Sequence, residues 1–327
     1  MVIRMKYTTF GKTGWKVSAI GFGCWQAGMN SWGSDYSSRD ASDAIRAATD
    51  AGINFFDTAE IYGHGVSERT LGESVKGRDV FIATKVAGYN VGRIEKSVER
   101  SLRNLGRSID LYQLHWVPSL YTSLEKSIRK LESAVRSGKV AHIGLSNFPA
   151  NQLKVASESL AREEIVSNQV QYSLVDRRVE NSLSPLMTNL GIMTIAYSPL
   201  GRGRLTGKYF DSALPSNTAR FTGVRRGRYS PPDKLKSALK KIASDHNFPV
   251  SAVSLSWLLS KNVIPIPGAK RPDQAVANAA SADLELSGTE ISILDSASND
   301  QKSGEYGNLV PRIIPNAVIR LLFEGFV

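Results

Sequence analysis

A chain of 327 residues, 42% hydrophobic and 22% charged, carries enough apolar material for a large core and is too apolar for a disordered chain. The formal charge of +11 raises the question of nucleic acid, but the excess is local: residues 201–245 hold eleven Lys/Arg against three Asp/Glu and few aromatics for base stacking, which argues against that partner. No run of 18 apolar residues is present to cross a membrane, and a single cysteine, Cys24, makes no intramolecular disulfide, as suits a reducing cytoplasm.

The opening MVIRMKYTTFGKTGWK has no apolar stretch of secretory length, so a cytoplasmic protein is expected. YTTFGKTGWKVS reads as a β-hairpin with Gly11 and Gly14 in its turn, placed to plug the base of a barrel. Eight short apolar runs follow: 18–23, 54–57, 80–85, 109–115, 140–146, 165–172, 192–198 and 263–268. Each is rich in Val, Ile, Phe or Tyr, as strands buried on both faces are. Helix-like stretches separate them, among them 37–52, 92–106 and 123–139. In the last, Leu124, Ile128, Leu131 and Val135 share one helical face. Gly52, Gly106, Gly138 and Gly191 stand where helices should stop.

This alternation over about residues 18–282 predicts an α/β fold, one (β/α)8 barrel, with the whole chain as one domain. An open doubly wound sheet is the alternative, weakened because Gly21-Phe22-Gly23-Cys24-Trp25 does not continue as G-x-G-x-x-G. A long basic connection over 199–230, with several glycines, reads as a candidate lid. Helix-like 250–260 precedes the last strand, helix-like 288–298 follows it, and an apolar tail over 309–327 is expected to dock on the barrel.

Active sites of such barrels lie at the C-terminal ends of the strands. Asp57, Lys85 and His115 end the second, third and fourth runs, and Tyr62 follows Asp57 by five residues. Singly, each has an ordinary role as a cap, rim charge, core histidine or loop aromatic. Together they suit proton donation to a carbonyl oxygen. A lysine beside a tyrosine stabilises the phenolate and lowers its pKa, an aspartate holds the lysine, and a neutral histidine orients the carbonyl. Neither a metal nor a covalent nucleophile is needed, so a cofactor must bring the hydride.

The segments FFDTAEIYG (55–63), ATK (83–85), LYQLHW (111–116), GKVAHIGLSNF (138–148), NQVQYS (168–173), AYSPLGRGRLTGKY (196–209) and IPIPGAK (264–270) give the chain a resemblance to the aldo-keto reductase superfamily over roughly residues 6–300, in the style of its bacterial, archaeal and potassium-channel-beta-like branch. The resemblance implies a catalytic tetrad of Asp57, Tyr62, Lys85 and His115, with Tyr62 as proton donor. It implies NADP(H) as cofactor. Ser146, Asn147 and Gln169 would bind the nicotinamide carboxamide, and Tyr197 would stack on the ring. Ser198, Leu200 and Gly203 would line the pyrophosphate. Gly268, Lys270, Arg271, Gln274 and Asn278 would hold the adenosine 2′-phosphate end, and Gly23, Trp25 and Asp57 would face the reacting end. Trp25 and Trp116, with Tyr62 and His115, would meet the substrate. Ala277-Asn278 departs from the family's Glu-Asn and should loosen the grip on adenine.

The activity implied is NADPH-dependent reduction of aldehydes or ketones, with a small-molecule carbonyl partner and an open oligomeric state. A nicotinamide-binding regulatory subunit and an NAD-linked sugar or alcohol dehydrogenase are the alternatives. Cys24 reads as a small buried hydrophobe.

Overall fold

A computed structural model describes residues 4–28, 37–211, 230–307 and 312–324. Arg220, Gly223, Arg225, Arg226, Gly227 and Arg228 of the candidate lid lie outside these residues.

The hairpin forms: β1 (Tyr7–Thr9) pairs antiparallel with β2 (Lys16–Ser18), and Gly11 and Gly14 have left-handed backbone in the turn. Eight parallel strands follow in chain order: β3 (Phe22–Gly23), β4 (Phe55–Asp57), β5 (Phe81–Val86), β6 (Ile109–Leu114), β7 (Val140–Ser146), β8 (Ile165–Gln171), β9 (Met193–Tyr197) and β10 (Ile264–Pro265). The sheet closes on itself. Gly21 N–H donates to the Pro265 carbonyl at 2.9 Å, and Gly23 N–H to the Pro267 carbonyl at 3.2 Å. A Cβ on Gly23 would sit 2.9 Å from the Ile266 carbonyl oxygen, so strand closure by itself requires glycine here. This is the predicted (β/α)8 barrel.

Two strands are far shorter than their apolar runs. Ser18 belongs to the hairpin, which leaves Phe22–Gly23 as the first barrel strand. Pro265 and Pro267 lack N–H groups, so the last strand stops at Ile264–Pro265. His115 stands one residue past β6, and β5 runs one residue past Lys85.

Phe10 from the hairpin turn packs inside the barrel with Phe55, Leu111, Val166, Met193 and Ile195, which seals the base. Helices α1 (Ser38–Asp50), α2 (Val66–Ser74), α3 (Ile94–Leu105), α4 (Leu124–Arg136), α5 (Ala150–Glu158) and α6 (Leu183–Leu190) lie on the outside. In α4, Leu124, Ile128 and Leu131 are buried as predicted, and Ser123 caps its first turn. Gly106 and Gly191 end their helices with left-handed backbone, which L-residues with a Cβ resist. No helix among the described residues is long and apolar enough to cross a membrane.

Between β9 and β10 lie α7 (Asp233–His246) and α8 (Val250–Leu259). The lysines of α7 are paired: Lys234 with Asp300, Lys236 with Asp233, Lys240 with Asp211 and Lys241 with Asp245. Much of the basic excess on this helix is thus balanced locally. After α9 (Pro272–Ala280) and α10 (Gly288–Ala297), the chain turns back over the C-terminal rim. Helix α11 (Asn316–Glu324) docks against the 88–93 segment. Ile319 is buried with Tyr89 and Trp116, and Asn316 Nδ2 donates to Thr122 Oγ1 at 2.9 Å. The described part of the tail therefore packs on the barrel, as expected.

Candidate active site

Parallel strands deliver their C-terminal ends to one rim, and the side chains expected to do chemistry meet there. Lys85 is fully buried. Its Nζ donates to Asp57 Oδ2 at 2.6 Å, to the Thr58 carbonyl at 2.8 Å and, more loosely, to Tyr62 Oη at 3.4 Å. Asp57 Oδ1 accepts from Gln169 Nε2 at 2.7 Å and Gln113 Nε2 at 3.1 Å. The carboxylate is thus buried with a counter-charge on one oxygen and two amide donors on the other, which offsets its desolvation. The His115 ring lies edge-on to Tyr62, centroids 5.7 Å apart. Its Nδ1 is buried with no hydrogen-bond partner among the described residues. Tyr62 alone of the four is partly open.

Electrostatics sets the protonation states. Burial, and then the positive charge of Lys85, pushes His115 well below its usual value, so the ring is neutral near pH 7. Burial also lowers the Lys85 ammonium, and Asp57 partly offsets this. For Tyr62 the result corrects the expectation. Burial first, then the negative charge of Asp57, pushes the phenol well above its usual value. The Lys85 ammonium does not outweigh this, because it is engaged at 2.6 Å by Asp57 and stands 3.4 Å from the phenol. The resting Tyr62 is a protonated phenol.

The nicotinamide-binding expectations fall on neighbouring strand ends. Asn147 stands at φ +59° just past β7, its Nδ2 donating to the His115 carbonyl at 3.1 Å and to Ser146 Oγ at 3.0 Å. Tyr197 Oη donates to Asn147 Oδ1 at 2.8 Å. Past β9, Ser198, Gly201, Arg202 and Gly203 all have positive φ. Two of these four are not glycine, and such strain, of order 1–3 kcal/mol each, collects at ligand-binding loops. Across the rim, Arg271 precedes α9 without a side-chain cap on that helix, and its guanidinium is held bidentately by Asp273. Gln274 Oε1 accepts from Lys270 N–H, and Asn278 Nδ2 donates to the Gly268 carbonyl. Gln274 and Asn278 thus brace the 268–270 loop from behind. A cavity of about 440 Å³ opens at the hairpin end, between Tyr7, Met193 and Leu259, far from these groups and without their chemistry.

Residues 19–299 match the family model described as the aldo/keto reductase family. The chain belongs to the aldo/keto reductase family. It is 30% identical to the methylglyoxal reductase of Escherichia coli (strain K12), over 85% of this chain and 90% of that one. It is 30% identical to a probable voltage-gated potassium channel subunit beta of Arabidopsis thaliana, over 86% and 92%. Its fold matches an aldo-keto reductase from Klebsiella pneumoniae crystallised in complex with NADPH, with a TM-score of 0.71 at 27% identity, over 90% of this chain and 95% of that one.

In this aldo/keto reductase Trp116 takes a different place from the one expected. Trp116 is buried between Tyr89, Ile319 and the His115 ring, 4.9 Å from the last, so it backs the histidine rather than offering an open wall. Trp25 is half-buried in a short turn over Trp25–Gly28 that packs on Tyr62 and Gly63. Cys24 is buried, and its thiol is pushed well up, chiefly by burial.

Other contributors went unnoticed in the sequence. Gln113 lies two residues before His115, on the same face of β6, and alternation along the strand could have flagged it. Glu60 is buried two residues before Tyr62. It accepts from Ala87 N–H at 2.9 Å and Asn90 Nδ2 at 2.8 Å and pairs with Arg100, which ties the Tyr62 loop to the end of β5.

Proposed function

We propose that this chain reduces aldehydes or ketones with NADPH, Tyr62 giving the proton. The observation that carries the reading is a partly open Tyr62 hydroxyl beside a buried Lys85–Asp57 pair and edge-on to a neutral His115. The nicotinamide, when bound, supplies the hydride. A neutral imidazole donates one hydrogen bond to the substrate oxygen and fixes its position. Tyr62 then passes its proton to that oxygen as negative charge builds there. The phenolate left behind lies next to the Lys85 ammonium, so the cation stabilises what the step creates more than what it starts from.

The residues present suit the cofactor. Ser146 keeps its hydroxyl proton, since Oγ only accepts from Asn147, and Gln169 keeps Oε1 as an acceptor among the described residues. One donor beside one acceptor complements a primary carboxamide. The left-handed Ser198, Gly201, Arg202 and Gly203 form the tight loop past β9 that would line the pyrophosphate. Lys270 and Arg271 at the start of α9 suit the 2′-phosphate. A reducing cytoplasm suits a free cysteine and NADPH chemistry.

Tyr62→Phe tests the reading, because it removes only the donated proton. Reduction of short aldehydes and α-dicarbonyls should fall by about 10²–10⁴-fold. NADPH binding, followed by fluorescence, should be unchanged. Near-normal turnover in the variant defeats the assignment. Similarity to the channel subunit favours a second reading, a nicotinamide-binding regulatory protein. Tight NADPH binding with no turnover in the unaltered protein would select it.

A further inference from the structure

Tyr306 lies beyond the stretch that the family model matches, residues 19–299, yet it reaches the centre of the site. It is 6% exposed. Its hydroxyl accepts from Gln171 N–H at 3.0 Å and donates to Asn147 Oδ1 at 3.0 Å. A phenol has one proton, so its donating capacity is used up. Tyr197 Oη donates to the same Asn147 oxygen at 2.8 Å. The two hydrogens on Asn147 Nδ2 go to the His115 carbonyl and to Ser146 Oγ. Every hydrogen-bonding hydrogen of this amide is committed, and flipping it would disrupt all four contacts at once. Asn147 therefore has no donor left for a ligand. It acts as a bracket, and the groups it leaves outward are the Ser146 hydroxyl proton and, beside it on the adjoining strand, Gln169 Oε1.

The segment that delivers Tyr306 is itself fastened. Arg177 N–H donates to the Gln301 carbonyl at 2.9 Å. Asn181 Nδ2 donates to the Lys302 and Gly304 carbonyls, both at 2.8 Å. Ser182 Oγ donates to Glu305 Oε2 at 2.6 Å, and the Arg178 guanidinium lies 5.9 Å from the Tyr306 ring centre.

We propose that Tyr306 is a positioning residue for the nicotinamide end of the pocket, pinning Asn147 and through it orienting Ser146 toward the carboxamide. This rests on the cofactor reading above. Tyr306→Phe keeps the ring and removes the pin. The test measures dissociation constants for NADPH and for adenosine 2′,5′-bisphosphate, which shares the adenosine end and lacks the nicotinamide. The variant loses the bond to Asn147 and the one accepted from Gln171 N–H; loss of the first should weaken NADPH about three- to tenfold and leave the bisphosphate within about twofold. 4-Aminophenylalanine at position 306 restores a donor to Asn147 and should recover NADPH affinity. It also provides the comparison with wild type if the Phe variant folds poorly. Equal weakening of both ligands, or no weakening of NADPH, or no recovery with the amino analogue, overturns the proposal. If the unaltered protein binds the bisphosphate but gains nothing from the nicotinamide half, the cofactor reading fails, and this inference with it.

Discussion

Replacing Lys85 by Met probes the buried pair at its strongest point. The ammonium is fully buried and serves Asp57, the Thr58 carbonyl and Tyr62. Without it, Asp57 keeps only the Gln113 and Gln169 amides and no counter-charge. Breaking one side of such a pair costs about 3–5 kcal/mol. Unfolding entropy of about 2.1 cal/mol/K per residue gives about 0.7 kcal/mol/K for a chain of 327 residues, so Tm should fall by about 4–7 °C. Asp57→Asn added to Lys85→Met removes the stranded charge and should recover much of that loss, while turnover stays low in both. Thermal melts by circular dichroism read stability, and NADPH oxidation reads turnover. The reverse reaction adds a sharper readout. Alcohol oxidation needs the phenolate, which burial already opposes, so the single variant should shift its oxidation profile to higher pH. A double variant no more stable than Lys85→Met, or an unchanged oxidation profile, would refute the reasoning.

Other perturbations follow from the same geometry. His115 is held well below its ordinary value, so between its usual value near 6.5 and its lowered one the unfolded chain binds a proton that the folded chain refuses. Stability from this group is present above about pH 6.5 and drains as pH falls, by up to about 1.4 kcal/mol per pH unit. Melts of His115→Gln near neutrality and one unit below about pH 6.5 should show a shallower decline than wild type, and parallel declines would contradict a buried neutral ring. Neutralising Lys270 and Arg271 together should raise the NADPH dissociation constant about tenfold and leave NADH nearly unchanged. Asp273→Asn, which removes the carboxylate now gripping Arg271, should tighten NADPH, and equal effects on the two cofactors would defeat the 2′-phosphate assignment.

Local rules in the sequence determined a good deal of this protein. Short β-rich runs, amphipathic stretches and glycine stops depend on periodicity and backbone sterics, so the barrel and most of its elements could be read from them. Asp57, Lys85 and His115 could be found because parallel strands send their C-terminal ends to one rim. The boundaries that failed were decided by neighbours: Ser18 went to the hairpin, and prolines cut short the last strand. The state of Tyr62 was also beyond local reading. A lysine nearby predicts a lowered phenol, but burial and the position of Asp57 between competing partners reverse the sign. Gln113 supports the same carboxylate as Gln169 from a different strand, and Tyr306 reaches Asn147 across 159 positions of sequence. Hydrogen bonds of this kind depend on distances of about 3 Å between segments far apart in the chain, and only the closed barrel and the segment folded back over it set those distances.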